Sequence, residues 1–65
     1  MTLTELLDLV QTGWITVVDR DTELRTDSMT AFGATHSSQL KTLVDKKVAS
    51  IRLDGGTSMT VEVAS

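Results

Sequence analysis

The sequence predicts an α+β domain in the order α-β-β-α-β-β, with a four-stranded, largely antiparallel sheet and two helices packed on one face. Three observations carry this. An apolar stripe of helical period opens the chain, β-branched runs of period two follow it, and Asp and Gly clusters stand where tight turns belong. A chain of 65 residues has room for one small domain, 1–65, and not for a second.

The first helix has a marked beginning. Thr2 is a natural N-cap, and Glu5 follows it at the spacing of a capping box. Met1 and Leu6 have the spacing of a hydrophobic staple. Leu3, Leu6, Leu7 and Val10 recur on one helical stripe, which predicts a helix over 3–12 closed by Gly13. Trp14-Ile15-Thr16-Val17-Val18 is β-branched and aromatic, so it predicts a strand. Asp19 to Thr22 has turn composition, because Asp bonds its own backbone readily. Glu23 to Met29 predicts a second strand, whose weak alternation and charges suit a sheet edge.

Thr30 to Thr35 has no period and predicts a connection. Ser37 or Ser38 then caps a second helix with Leu40, Leu43 and Val44 as its apolar face. Val48 to Leu53 predicts a third strand. Asp54-Gly55-Gly56-Thr57 is a hairpin turn, since Asp-Gly and Gly-Gly reach positive φ cheaply. Met59, Val61 and Val63 alternate with Thr60, Glu62 and Ala64 in a fourth strand. By parity Ile15, Val17, Ala49, Ile51, Leu53, Met59, Val61 and Val63 face the helices. Thr16, Val18, Arg25, Val48, Ser50, Arg52, Thr60 and Glu62 face away, and Trp14 shares their parity. The halves 1–30 and 36–65 also align at an offset of 34, Leu6 with Leu40 and Val17 with Ile51. A duplication and a merely shared helix–hairpin pattern both produce that correspondence.

Composition excludes several classes. No Cys is present, so there is no disulfide, and one His without a thiolate leaves no structural zinc set. No apolar run approaches a membrane span, and no basic segment leads into an apolar one at the N-terminus, so a cytoplasmic location without membrane contact is expected. A net charge of −3 carries no basic excess able to track a nucleic-acid backbone.

The catalytic and ligand motifs are incomplete. Asp19-x-Asp21-x-Glu23 opens like a calcium loop, but the sixth and twelfth positions hold Leu24 and Thr30 instead of Gly and Glu. His36 beside Ser37 and Ser38 lacks an orienting third group. Gly55-Gly56 lies between strands, whereas a phosphate loop leads into a helix. Neither an enzyme nor a cofactor is expected. A protein partner or a homodimer is, because a short sheet leaves two edges open and edge pairing is a common recognition mode. Trp14, Arg25 and Arg52 are the candidate binding residues, as Trp and Arg are enriched at binding hot spots. The alternative is a weak nucleic-acid site over Lys41, Lys46, Lys47 and Arg52, extended by Arg25. RNA-binding sheets display several stacking aromatics and this outer face offers only Trp14, so nucleic acid is not the expected partner.

Leu6-Leu7-Asp8-Leu9-Val10 running into Trp14-Ile15-Thr16-Val17-Val18-Asp19, and Lys47-Val48-Ala49-Ser50-Ile51-Arg52 leading into Asp54-Gly55, resemble small proteins of unknown function carried by phages and prophages of Gram-positive bacteria. The resemblance is one of pattern over most of the chain and brings no functional residues with it. It implies a small accessory or host-modulating role.

Overall fold

The computed structural model describes residues 1–10 and 12–65, and the backbone alone at Ala31. Helix α1 spans Leu3–Leu9 and begins as its sequence dictates. The Thr2 hydroxyl accepts the Glu5 amide while the Glu5 carboxylate accepts the Thr2 amide, which satisfies two of the donors a helix start leaves open. The next two are satisfied from far along the chain: Leu3 N–H donates to the Lys46 carbonyl at 3.0 Å and Thr4 N–H to that of Val44 at 3.1 Å. The helix is shorter than expected. Val10 is already extended, which keeps its side chain on the core, and Gln11 lies outside the described residues. Gly13 has φ 104°, and a Cβ there would overlap the Thr57 carbonyl oxygen that the Trp14 amide also uses.

Strand β1 is Trp14–Asp19, with Ile15, Val17 and Asp19 buried in strict alternation. The expected second strand shrinks to β2, Met29–Thr30, together with a single bridge from Arg25 to Val18. The Thr26 hydroxyl explains the interruption. It takes the Val17 amide at 3.0 Å, while the Thr26 amide donates to the Val17 carbonyl, so a side chain replaces one rung of the ladder. Glu23, at φ 60°, starts that segment in the left-handed region, where a regular strand cannot begin.

The expected connection after β2 is instead a short helix, α2, Ala31–Thr35, whose N-cap Thr30 accepts the Gly33 amide at 3.0 Å. The expected helix after Ser37 is not α-helical. The amides of Leu40, Lys41, Leu43 and Lys46 donate three residues back, to Ser37, Ser38, Leu40 and Leu43. Tight turns of this kind still bring Leu40 and Leu43 into the core, and they leave the Val44 and Lys46 carbonyls free to receive the start of α1. The stretch aligned by offset with α1 is therefore turns.

Strands β3, Lys47–Gly55, and β4, Ser58–Ala64, form the expected hairpin, with Gly55 and Gly56 at positive φ. The two helices and the four-stranded sheet fit the α+β class, and the strand order is β2-β1-β4-β3. The sheet is mixed: β1 pairs antiparallel with β2, β4 pairs antiparallel with β3, but the two central strands run parallel. Residues 31–46 supply the crossover that parallel neighbours need.

One face of the sheet meets the helices. Ile15, Val17, Val61 and Val63 pack there against Leu3, Leu6, Leu7, Ala34, Leu40 and Leu43. Two face assignments change. An irregularity between Val48 and Ser50 makes Ala49 the extra residue, so Val48 lies opposite Val63 on the core side and Ala49 is exposed. Ile51 and Leu53 are on the helix-facing side by register, yet stay 47% and 77% exposed because the helices do not cover this end of the hairpin.

Candidate functional site

The face turned away from the helices carries the three candidate residues. Trp14 opens β1, lies between Thr30 and Ser58, and is 48% exposed. Thr16 and Val18 follow on the same face, about 7 Å and about 13 Å along the strand. Arg25 stands opposite Val18, and Arg52 stands opposite Thr60. Arg25, Arg52, Val18, Thr60 and Glu62 together line a recess of about 230 Å³. The structure thus brings the two arginines to one recess and sets Trp14 on the same face beyond it.

The recess is electrostatically organised. Arg52 Nε lies 3.0 Å from Asp54 Oδ1, and the Thr60 hydroxyl donates to the other oxygen of Asp54. Asp54 is held below the ordinary carboxylate value, first by that Thr60 bond, then by Arg52, with the nearby charge of Arg25 adding to it. Glu62 accepts Arg20 Nε at 2.9 Å and the Ser50 hydroxyl at 2.8 Å, which lower its pKa in that order. Among the described residues, no carboxylate forms an ion pair with Arg25. Three guanidiniums, Arg20, Arg25 and Arg52, therefore meet two carboxylates, Asp54 and Glu62, leaving one positive charge in surplus. Thr60, buried at 6% exposure, is the floor residue that parity placed on this face without marking it.

The most connected polar cluster lies elsewhere and was not among the candidates. Asp19, 1% exposed, ends β1 on the core side. Lys46 Nζ sits 2.9 Å from both of its oxygens and 2.9 Å from Asp21 Oδ2. The ammonium thus stands between the two carboxylates that resembled a calcium loop. Lys46 lowers the Asp19 pKa, with smaller help from the Thr22 hydroxyl and the Asp21 amide, and its own pKa rises in return. The signal for this pair was present: an acid at the third inward position of β1 demands a buried partner.

The remaining sequence candidates separate. His36 caps the end of α2 with its ring 4.8 Å from the Phe32 ring. The Ser37 hydroxyl accepts the Gln39 amide at 3.2 Å. Lys41 lines a different cavity on the helix side, with His36 and Ser38, while Lys46 is engaged by Asp19 and Asp21. Lys41, Lys46 and Arg52 consequently do not form one basic surface. No group of three or more metal-ligating side chains occurs among the described residues, and no helix is long and apolar enough to cross a membrane. What fold and recess define is a small α+β domain with an open, charged sheet face. No family model matches the chain, and no curated protein or solved structure matches it.

Proposed function

We propose that this domain is a small non-enzymatic protein-binding module that receives an acidic segment of a partner on its outer sheet face. One observation carries the reading: Arg25 and Arg52 line a single recess that keeps a surplus positive charge, on the same face as an exposed Trp14. A guanidinium presents several donors in a fixed fork suited to carboxylates, and a half-exposed indole adds apolar area beside it. The resemblance to phage and prophage proteins supports an accessory role for such a module. The dispersal of Lys41, Lys46 and Arg52 over different surfaces favours a protein over a nucleic acid.

Titration of the labelled domain with glutamate-rich and aspartate-rich peptides, followed by amide chemical shifts, tests this. Shifts concentrated on Val18, Arg25, Arg52 and Thr60, weakened at higher salt and lost in Arg25→Ala/Arg52→Ala, are expected. Shifts that persist in the double variant, or none with any acidic peptide, would overturn the reading.

A further inference from the structure

Two recesses on the helix side, away from the charged sheet face, meet in one groove. The larger, about 370 Å³, is lined by Ala34, His36, Ser38 and Lys41, and the smaller, about 260 Å³, by Thr4, Leu7 and Asp8. Thr35 and Val44 border both, so the two adjoin, with Lys41 toward one end and Asp8 toward the other. The polar groups of the middle are already used. The Val44 carbonyl accepts the Thr4 amide at 3.1 Å and the Thr4 hydroxyl at 3.0 Å, and the Thr35 hydroxyl donates to the Phe32 carbonyl at 2.7 Å. What the middle offers a ligand is the apolar surface of Leu7, Ala34 and Val44.

The ends are the reverse. Among the described residues, neither the Lys41 ammonium nor the Asp8 carboxylate forms an ion pair. Ser38 adds a hydroxyl beside Lys41, and His36 an imidazole that stands 4.8 Å from the Phe32 ring. Asp8 does not serve its own helix. It lies in the last turn of α1, where the macrodipole favours a cation, and that turn holds no basic residue. Thr4 and Asp8 are one turn apart on the same flank, which brings the acid to the groove.

We infer that this groove binds a free zwitterion of the ω-amino acid class. Its carboxylate lies at Lys41, His36 and Ser38, its methylene chain over Val44, and its ammonium at Asp8. Charge selects this occupant. A simple anion leaves the Asp8 end unanswered, and a simple amine leaves the Lys41 end unanswered. Glycine carries both charges but lacks the chain that covers the apolar middle. Recesses of this volume suit a small molecule, with a few polar groups fixing its orientation. The groove shares no lining residue with the Arg25–Arg52 recess, so it stands independently of what the sheet face binds.

Titration of the labelled domain with ε-aminocaproate up to about 50 mM, followed by amide chemical shifts, tests the assignment. Shifts are expected on Asp8, Thr35, Ser38, Lys41 and Val44. Caproate and pentylamine each carry one of the two charges and should bind about tenfold more weakly, and glycine more weakly still. Asp8→Asn should abolish the preference for ε-aminocaproate over caproate while keeping that over pentylamine, and Lys41→Gln should do the opposite. Both side chains are exposed, and circular dichroism serves as the folding control. An absence of shifts over the whole titration, caproate or pentylamine binding as well as the zwitterion, or variants that keep both preferences would overturn the proposal. So would shifts centred on Val18, Arg25 and Thr60, which would put the zwitterion on the sheet face.

Discussion

Asp21 is the residue whose ionisation is most strongly displaced. Its pKa falls from 3.8 to about 2, first because the Ser65 hydroxyl donates to it, then because the Lys46 ammonium does. A carboxylate with a lower pKa in the folded state stabilises the fold above its ordinary value, and that contribution disappears as pH falls through the folded value. Asp19, Asp54 and Glu62 are displaced in the same direction. Stability should therefore be level from neutral pH down to the ordinary value of 4.5 for Glu62, and decline further from 3.8, the ordinary value of the aspartates, through about 2. Thermal melts at stepped pH will follow this decline, and Asp21→Asn should make it shallower. An unchanged acid limb would show that Asp21 is not its source. At this scale the sequence marked Asp19 and Asp21 only as turn residues. What they ion-pair with was hidden, because Lys46 is 27 and 25 positions away.

Among the elements, α1 was the most legible and β2 the least. Thr2, Glu5 and the leucine stripe act within one or two turns, so local spacing is enough to read them. With only seven residues, α1 depends on its cap and on the carbonyls of Val44 and Lys46. Thr2→Ala should cost about 1 kcal/mol, measured as a fall in the urea midpoint at unchanged slope. The segment 23–29 misled for the opposite reason. Its residue types suit a strand, but the Thr26 hydroxyl competes for the Val17 amide and breaks the ladder after one bridge. Likewise, Leu40, Leu43 and Val44 fit a helical face and a series of three-residue turns equally well, since both return a side chain to the same side at i+3.

The whole molecule depends on a single small core shared by both helices and one sheet face. Leu40 is fully buried in it, far from the outer face. Leu40→Ala should remove about 2–5 kcal/mol, close to the entire margin of about 3–5 kcal/mol that a core of this size provides. Chemical denaturation should find that variant largely unfolded, whereas Leu53→Ala, at an exposed position, should stay within about 0.5 kcal/mol of the parent at low concentration. The outer face illustrates what parity alone can reach. It put Arg25, Arg52 and Trp14 on one surface, yet it did not reveal that Arg25 and Arg52 border the same recess. That depends on the bridge from Arg25 to Val18 and on the placement of β4 between β1 and β3. The sequence by itself determined the class, the capped first helix, the central strand, the hairpin and most of the core, because those follow from spacing over a few residues. Only the tertiary structure decided the parallel pairing of β1 with β4, the extra residue at Ala49, the Asp19–Lys46 pair and the place of β3 at the edge of the sheet. Each of these arises from contacts between residues distant in the chain, and a local period carries no information about which distant strand or charge will be the neighbour.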